Sequence, residues 1–302
     1  MPTVESLDKL PSMSKVDATR SIWLRLSRLP AIPLLAFGIV LGLALLAITA
    51  PVLAPYPPTQ HNLAERLRPP AWVARGSPEH LLGTDLYGRD VLSRVLHGAR
   101  VSLSVAVATI IVAGLIGGII GLVAGYFGGI YDAVLMRLVD AFLAVPAVLI
   151  AIVIASTFGP SFENVVFVIS LFYWPRYARQ IRGETLSIKE RDFVQLARVA
   201  GCSPLQILVT HILPNLAPSL TVLASLQVGS AIVLEATLSF LGVGIPPPQP
   251  AWGVMIEDGR GMVVSAWWIS FFPGLAIAVT VLAFNLMGDW VRDRLDPKLQ
   301  GL

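Results

Sequence analysis

Apolar residues along this chain fall into long blocks broken by short polar stretches. Residues 29–64 hold no Asp, Glu, Lys or Arg, and within them 31–53 is apolar enough to cross a membrane. That block predicts a first membrane-spanning helix, which Pro51, Pro55, Pro57 and Pro58 are expected to end. A second charge-free block covers 101–131. A third, 140–158, is opened by Asp140 and closed by Gly159-Pro160. A weaker run, 164–174, spans only if Arg176, Tyr177 and Arg179 snorkel to the interface. Blocks at 217–242 and 267–287 complete the set. Most are close to the ~20 residues needed to cross a ~30 Å hydrocarbon layer at ~1.5 Å per residue. The pattern predicts an all-α membrane protein with six transmembrane helices.

Lys and Arg orient these spans. Fifteen of the 22 fall in the segments before span one, after spans two and four, and after span six. The other seven lie in 54–100 and at Arg260. The positive-inside bias puts both termini in the cytoplasm, although the 54–100 loop is unusually basic for an outer segment. The chain then divides into a cytoplasmic segment 1–30, a first helix 31–53 and an extracytoplasmic loop 54–100. A core of five helices, 101–288, contains a long cytoplasmic loop at 175–216, and 289–302 is a cytoplasmic tail. The first span reads as uncleaved, because its apolar run exceeds the ~7–15 residues of a signal peptide.

Composition sharpens the class and removes alternatives. Of 302 residues, 55% are hydrophobic and 14% charged, against about 25% charged in soluble domains. That excludes a soluble enzyme domain and a disordered chain. The single cysteine, Cys202, allows no internal disulfide and no cysteine-based metal centre. His61, His80, His97 and His211 show no i,i+4 pairing, so no metal site is expected. No GxxxxGK[ST] loop occurs, so the chain carries no P-loop ATPase of its own. The net charge of +3 fits cytoplasmic loops better than nucleic-acid binding.

The 175–216 loop is too long for a passive turn. Ser187 to Glu190 reads as a capping box opening a helix, with Phe193, Ala197 and Ala200 on one face and Leu196 beside it. Gly201 ends that helix. Ser203-Pro204 starts a second, which runs to Leu213 and stops at Pro214. A projecting helical hairpin suits docking into another protein, or an interfacial position on lipid headgroups.

Gln195-Leu196-Ala197 with Gly201, nine residues, and His211-Ile212-Leu213-Pro214 resembles the EAA loop (E-A-A-x3-G-x9-I-x-L-P) of ABC importer permeases. Gln195, Leu196 and His211 depart from the pattern, and Gln195 lacks the negative charge of the usual Glu. Residues 82–94 (LGTDLYGRDVLSR), 124–129 (AGYFGG), 235–242 (EATLSFLG), 246–253 (PPPQPAWG) and 288–297 resemble the dipeptide/oligopeptide/nickel branch, second permease type. The resemblance implies a type I ABC importer permease fold in a bacterial-type inner membrane. It implies ATPase coupling through Gln195, Leu196, Ala197, Gly201, Ser203, Pro204, Leu213 and Pro214. It also implies a homologous second permease, two cytoplasmic ABC ATPases holding ATP and Mg, and an extracytoplasmic solute-binding protein. No cofactor and no catalytic residue are expected in this chain.

Three further features carry weight. Gly117, Gly121, Gly125 and Gly129 form an every-fourth-residue stripe, read as helix packing within the bundle or as a subunit interface. Asp140 is expected to pair with Arg137 one turn earlier. Glu235 is the one charge in 199–256. It could line a solute path, bond backbone near Gly242-Gly244, or sit near the outer surface. Trp252, Trp267 and Trp268 suit an interfacial aromatic belt. A secondary transporter or channel would want several ion-coupling groups, and a membrane enzyme a clustered catalytic set; neither pattern is found.

Overall fold

The computed structural model describes residues 31–295. The expected segment 1–30 and the last residues of the 289–302 tail lie outside them. Nine α-helices account for most of the described residues, which contain no β-strand beyond an isolated Thr84–Asp90 bridge. Helix α1 is Ala31–Leu53, matching the first apolar block. Then come α2 (Val91–Phe127), α3 (Gly129–Ala144), α4 (Ala147–Phe158) and α5 (Phe162–Ile188). They are followed by α6 (Asp192–Val199), α7 (Pro204–Phe240), α8 (Trp252–Gly259) and α9 (Trp268–Leu295).

Four of these (α1, α2, α7 and α9) are long and apolar enough to cross a membrane, and five if the bent pair α3–α4 counts as one crossing. The third expected span, 140–158, is therefore not one straight rod. Gly129–Ala144 and Val148–Phe158 meet at 85°, because Pro146 cannot donate into a helix and forces extended backbone before it. Helix α5 has the length to cross, ~40 Å at ~1.5 Å per residue. Its second half carries Arg176, Arg179, Arg182 and Glu184, so composition does not mark it.

Helix α2 is the axis of the bundle. It starts at Val91 rather than at the expected 101, because Asp90 caps it by accepting from the Ser93 N–H. It lies parallel to α5, and the glycine stripe makes the close approach possible. A Cβ on Gly117 would sit 2.3 Å from the Trp174 carbonyl oxygen, and one on Gly121 2.6 Å from that of Ala178. At Gly125 it would sit 2.6 Å from Thr185 Cβ. The stripe therefore packs α2 on α5 inside the chain. Gly129 does not belong to it: nothing lies within 4 Å of its Cβ position, and its φ of +54° serves the turn into α3.

The main core joins Val105, Ala106 and Ala113 of α2 to Ile169 and Tyr177 of α5 and Ile232 of α7. This packing also explains why α5 outruns the sequence expectation. Its apolar face runs on through Ala178, Ile181, Thr185 and Ile188, all buried, and burial of that face outweighs the single backbone bond lost at Pro175. The helix therefore passes through Ser187, and the expected capping box does not form. The break falls at Lys189, and α6 begins after Arg191 with no side-chain cap. Pro214 likewise does not end a helix. A π-helical stretch, Ile207–Ile212, precedes it, and the Leu213 N–H reaches back to the Leu208 carbonyl. The widened turn makes room for a ring that would otherwise press on the preceding turn.

Two ends of the bundle are thereby defined. At one, α2 begins, α7 ends, and α8 and the start of α9 form a cap. At the other, α2 and α5 end, and α6 turns into α7.

Candidate functional site

The turn at the second end is rooted in its own small core. Val194 and Ala197 of α6 are buried against Ile181 and Ile188 of α5 and Ile207, Ile212 and Leu216 of α7. The buried stripe is thus Val194 and Ala197, not Phe193, Ala197 and Ala200; Phe193 and Ala200 are exposed. Gly201, with φ +80°, closes α6, and the Cys202 N–H returns to the Ala197 carbonyl. Ser203 Oγ accepts from the Gln206 N–H, and Pro204 sits in the first turn. Lys189 Nζ donates to the Gly125 carbonyl at 2.9 Å, tying the turn to the end of α2. Arg198 lies over the Tyr126 ring, 5.4 Å from its centroid.

Gln195 faces inward along the chain. Its Nε2 donates to the Lys189 carbonyl at 3.2 Å and lies 3.4 Å from Glu190 Oε2. It braces the α5–α6 corner. The opposite face is left apolar and open: Leu196 is 68% exposed, Val199 87% and Leu205 71%. Leu213 and Pro214 lie further along, exposed at the start of the α-helical part of α7.

At the other end a buried ion network holds the cap. Asp85 Oδ2 accepts from Arg89 Nε at 2.6 Å, and Arg94 Nε lies 3.6 Å from the same oxygen. Both arginines reach Asp258 Oδ2 on α8, at 2.8 and 3.1 Å. Burial pushes the Asp258 carboxyl above the usual carboxylate range, against the pull of Arg94 and Arg89. His80 stands between Asp90 (2.9 Å) and Glu65 (3.1 Å). Burial disfavours its charge, but the two carboxylates together outweigh this and raise it above the ordinary histidine value.

Tryptophans complete the cap. Trp252 Nε1 donates to the Val95 carbonyl, and Trp268 Nε1 to that of Thr84, each at 3.0 Å. Trp252 and Trp268 are buried, so they are structural pins rather than part of an aromatic belt; Trp267 is 37% exposed and stacks edge-on to Phe271.

Glu235 has no exposed surface. Its carboxylate accepts from Ser102 Oγ of α2 at 3.0 Å and from Ser239 Oγ at 2.7 Å. The same two hydroxyls take the N–H groups of Trp252 and Ile245. Glu235 is thus the hub joining α2, α7 and the start of α8. Asp140 pairs with Arg179 of α5 at 2.7 Å, not with Arg137, and both partners are more than half exposed.

Residues 117–301 match the family described as the binding-protein-dependent transport system inner membrane component. The chain belongs to this family. Residues 19–70 match the N-terminal TM domain of oligopeptide transport permease C. The dipeptide transport system permease protein DppC of Escherichia coli (strain K12) is 48% identical over 269 residues, covering 87% of this chain and 90% of that protein. DppC of Haemophilus influenzae is 42% identical, covering 86% and 88%. A putative peptide transport system permease protein of Brucella suis is 43% identical, covering 88% of each. A chain of the MetNI methionine ABC transporter, solved in inward-facing conformations, superposes with a TM-score of 0.55. It is 16% identical and covers 67% of this chain and 96% of that one, a likeness of fold.

The permease is thus a multi-pass inner-membrane component with the type I fold, a non-catalytic subunit of a transport system. Within it, the sequence pointed to the turn through Gly201 and Ser203-Pro204. It did not reveal the partners of Glu235 or Asp258, because serine hydroxyls and a carboxylate 164 residues from Arg94 leave no local pattern. The run 82–94, noted for its resemblance, held the available signal for the cap.

Proposed function

We propose that this permease is the transmembrane subunit of an ATP-driven importer of short peptides, and that the α6–α7 turn couples it to the ATPase. The observation that carries this reading is the apolar ridge of Leu196, Val199 and Leu205, exposed on a turn anchored by buried Val194 and Ala197. A rigid, apolar, water-exposed knob is costly unless a groove covers it. Its position matches the EAA-type segment. Ala197, Gly201 and Ser203 shape the knob; Leu196 makes contact; Gln195 holds the corner in place of a charged residue.

On this reading both termini and the turn face the cytoplasm, and the cap of α8 with the 54–90 segment faces a solute-binding protein. A homologous second permease completes the pathway. Two ATPase subunits hold ATP and Mg, and their closure moves the turn. The peptide class follows the relatives named above.

The test is the double variant Leu196→Asp, Val199→Asp in the assembled complex. Both side chains are exposed, so the chain itself should insert and melt as the parent does. Each apolar contact covered by a partner is worth about 1.5–3 kcal/mol, so ATPase co-purification should fall at least about tenfold. Undiminished co-purification would refute the docking role.

A further inference from the structure

Between the middle of α5 and the last third of α7, an open cavity of about 360 Å3 is lined by Phe172, Tyr173, Arg176, Ser230, Val233, Leu234 and Thr237, of which Arg176, Ser230, Val233 and Thr237 are exposed. That volume falls within the ~300–1,000 Å3 of small-molecule sites. Arg176 is ~21 Å from the start of α5, and Ser230 ~15 Å from the end of α7, at ~1.5 Å per residue. Trp174 and Tyr177, on either side of Arg176, pack on Gly117 near the centre of the charge-free block 101–131, which sets Arg176 well inside the apolar layer.

Three arginines lie on this part of α5. Arg179 is paired with Asp140 and Arg182 with Asp132. Arg176 makes no ion pair among the described residues; its guanidinium lies over the Tyr173 ring, 5.3 Å from the centroid. Ser230 lines the cavity beside Tyr173. Thr237 donates its proton to the Val233 carbonyl at 2.7 Å. An unpaired cation at this depth is too costly to face lipid and marks a pathway or a partner. The surrounding wall of Phe172, Val233 and Leu234 is apolar.

We propose that this cavity is a solute subsite in which Arg176, steadied by the Tyr173 ring, receives the carboxylate of a short peptide in transit. The proposal rests on the importer reading above. A planar guanidinium offers paired donors to a carboxylate. The apolar wall accepts side chains without selecting among them, which suits a carrier of varied peptides.

The experiment uses the full complex with its binding protein in proteoliposomes, and radiolabelled alanyl-alanine as the probe. Arg176→Gln should lower import about tenfold, the loss of one charge-assisted contact. Subunit assembly and ATPase attachment should stay within about twofold of the parent. Arg176→Lys should recover most of the rate. Import equal to the parent's in Arg176→Gln overturns the proposal. So does disassembly of the complex by that variant, which would make Arg176 an ion-pair partner of the second permease. If the parent complex itself imports no peptide, the importer reading fails as well.

Discussion

Alanine at position 117 is expected to cost about 3 kcal/mol or more, whereas alanine at 118 should be neutral or slightly stabilising. The two glycines are neighbours on α2 and the substitution is the same. At Gly117 the added methyl meets the Trp174 carbonyl oxygen at 2.3 Å, Tyr177 Cβ at 2.6 Å and the Ala178 nitrogen at 3.0 Å. Two of these are backbone atoms of α5, so no rotamer change relieves them. At Gly118 nothing lies within 4 Å, and the exchange gains helix propensity, up to ~1 kcal/mol. Since α2 and α5 form the main helix pair of the core, forcing them apart also disturbs Tyr173 and the turn rooted on Ile181. Thermal unfolding of both variants in detergent, followed by size-exclusion, checks this. Equal melting points would show that the two helices are not held backbone to backbone.

A second large effect is expected at the cap. Asp258→Leu should cost about 3–5 kcal/mol, because it strands two buried arginines on the single carboxylate of Asp85. Arg94 is 1% exposed and Arg89 7%, so neither can turn to water. Glu257→Leu, one residue earlier, is the control: its contact with Arg260 is 3.7 Å long and at the surface. Such a pair is worth about 0–1 kcal/mol. Limited proteolysis of the 54–90 segment and the melting temperature together report the difference. The account of the cap fails if the two leucine variants are alike.

How much of this could be read beforehand differs by element. Helix α1 was legible because an uninterrupted apolar run in lipid has one solution, a helix satisfying its own backbone. The turn was legible because Gly201 and Ser203-Pro204 are local devices whose geometry depends on few neighbours. Helix α5 was not, because its length is set by Tyr177, Ile181 and Thr185 meeting the α2 glycine face and by Ile188 joining the core of the turn, tertiary matches that hydropathy does not carry. For the same reason Ser187 looked like a cap and was not one. The bend at Pro146 was written in the chain, yet the apolar residues on either side concealed it within one block. Glu235 was flagged by its solitude; that two serines complete its coordination depends on α2 and α7 crossing at Ser102, which no window of sequence contains.

The central claim is that this permease moves solute only when coupled through its α6–α7 turn to ATP hydrolysis. It is tested most directly in proteoliposomes holding the complete complex, by measuring import of a labelled dipeptide delivered by its binding protein, with ATP and with ATP withheld. The account predicts import with ATP, none above leakage without it, and the same loss in the Leu196→Asp, Val199→Asp variant with ATP present. Import that continues undiminished without ATP would contradict it.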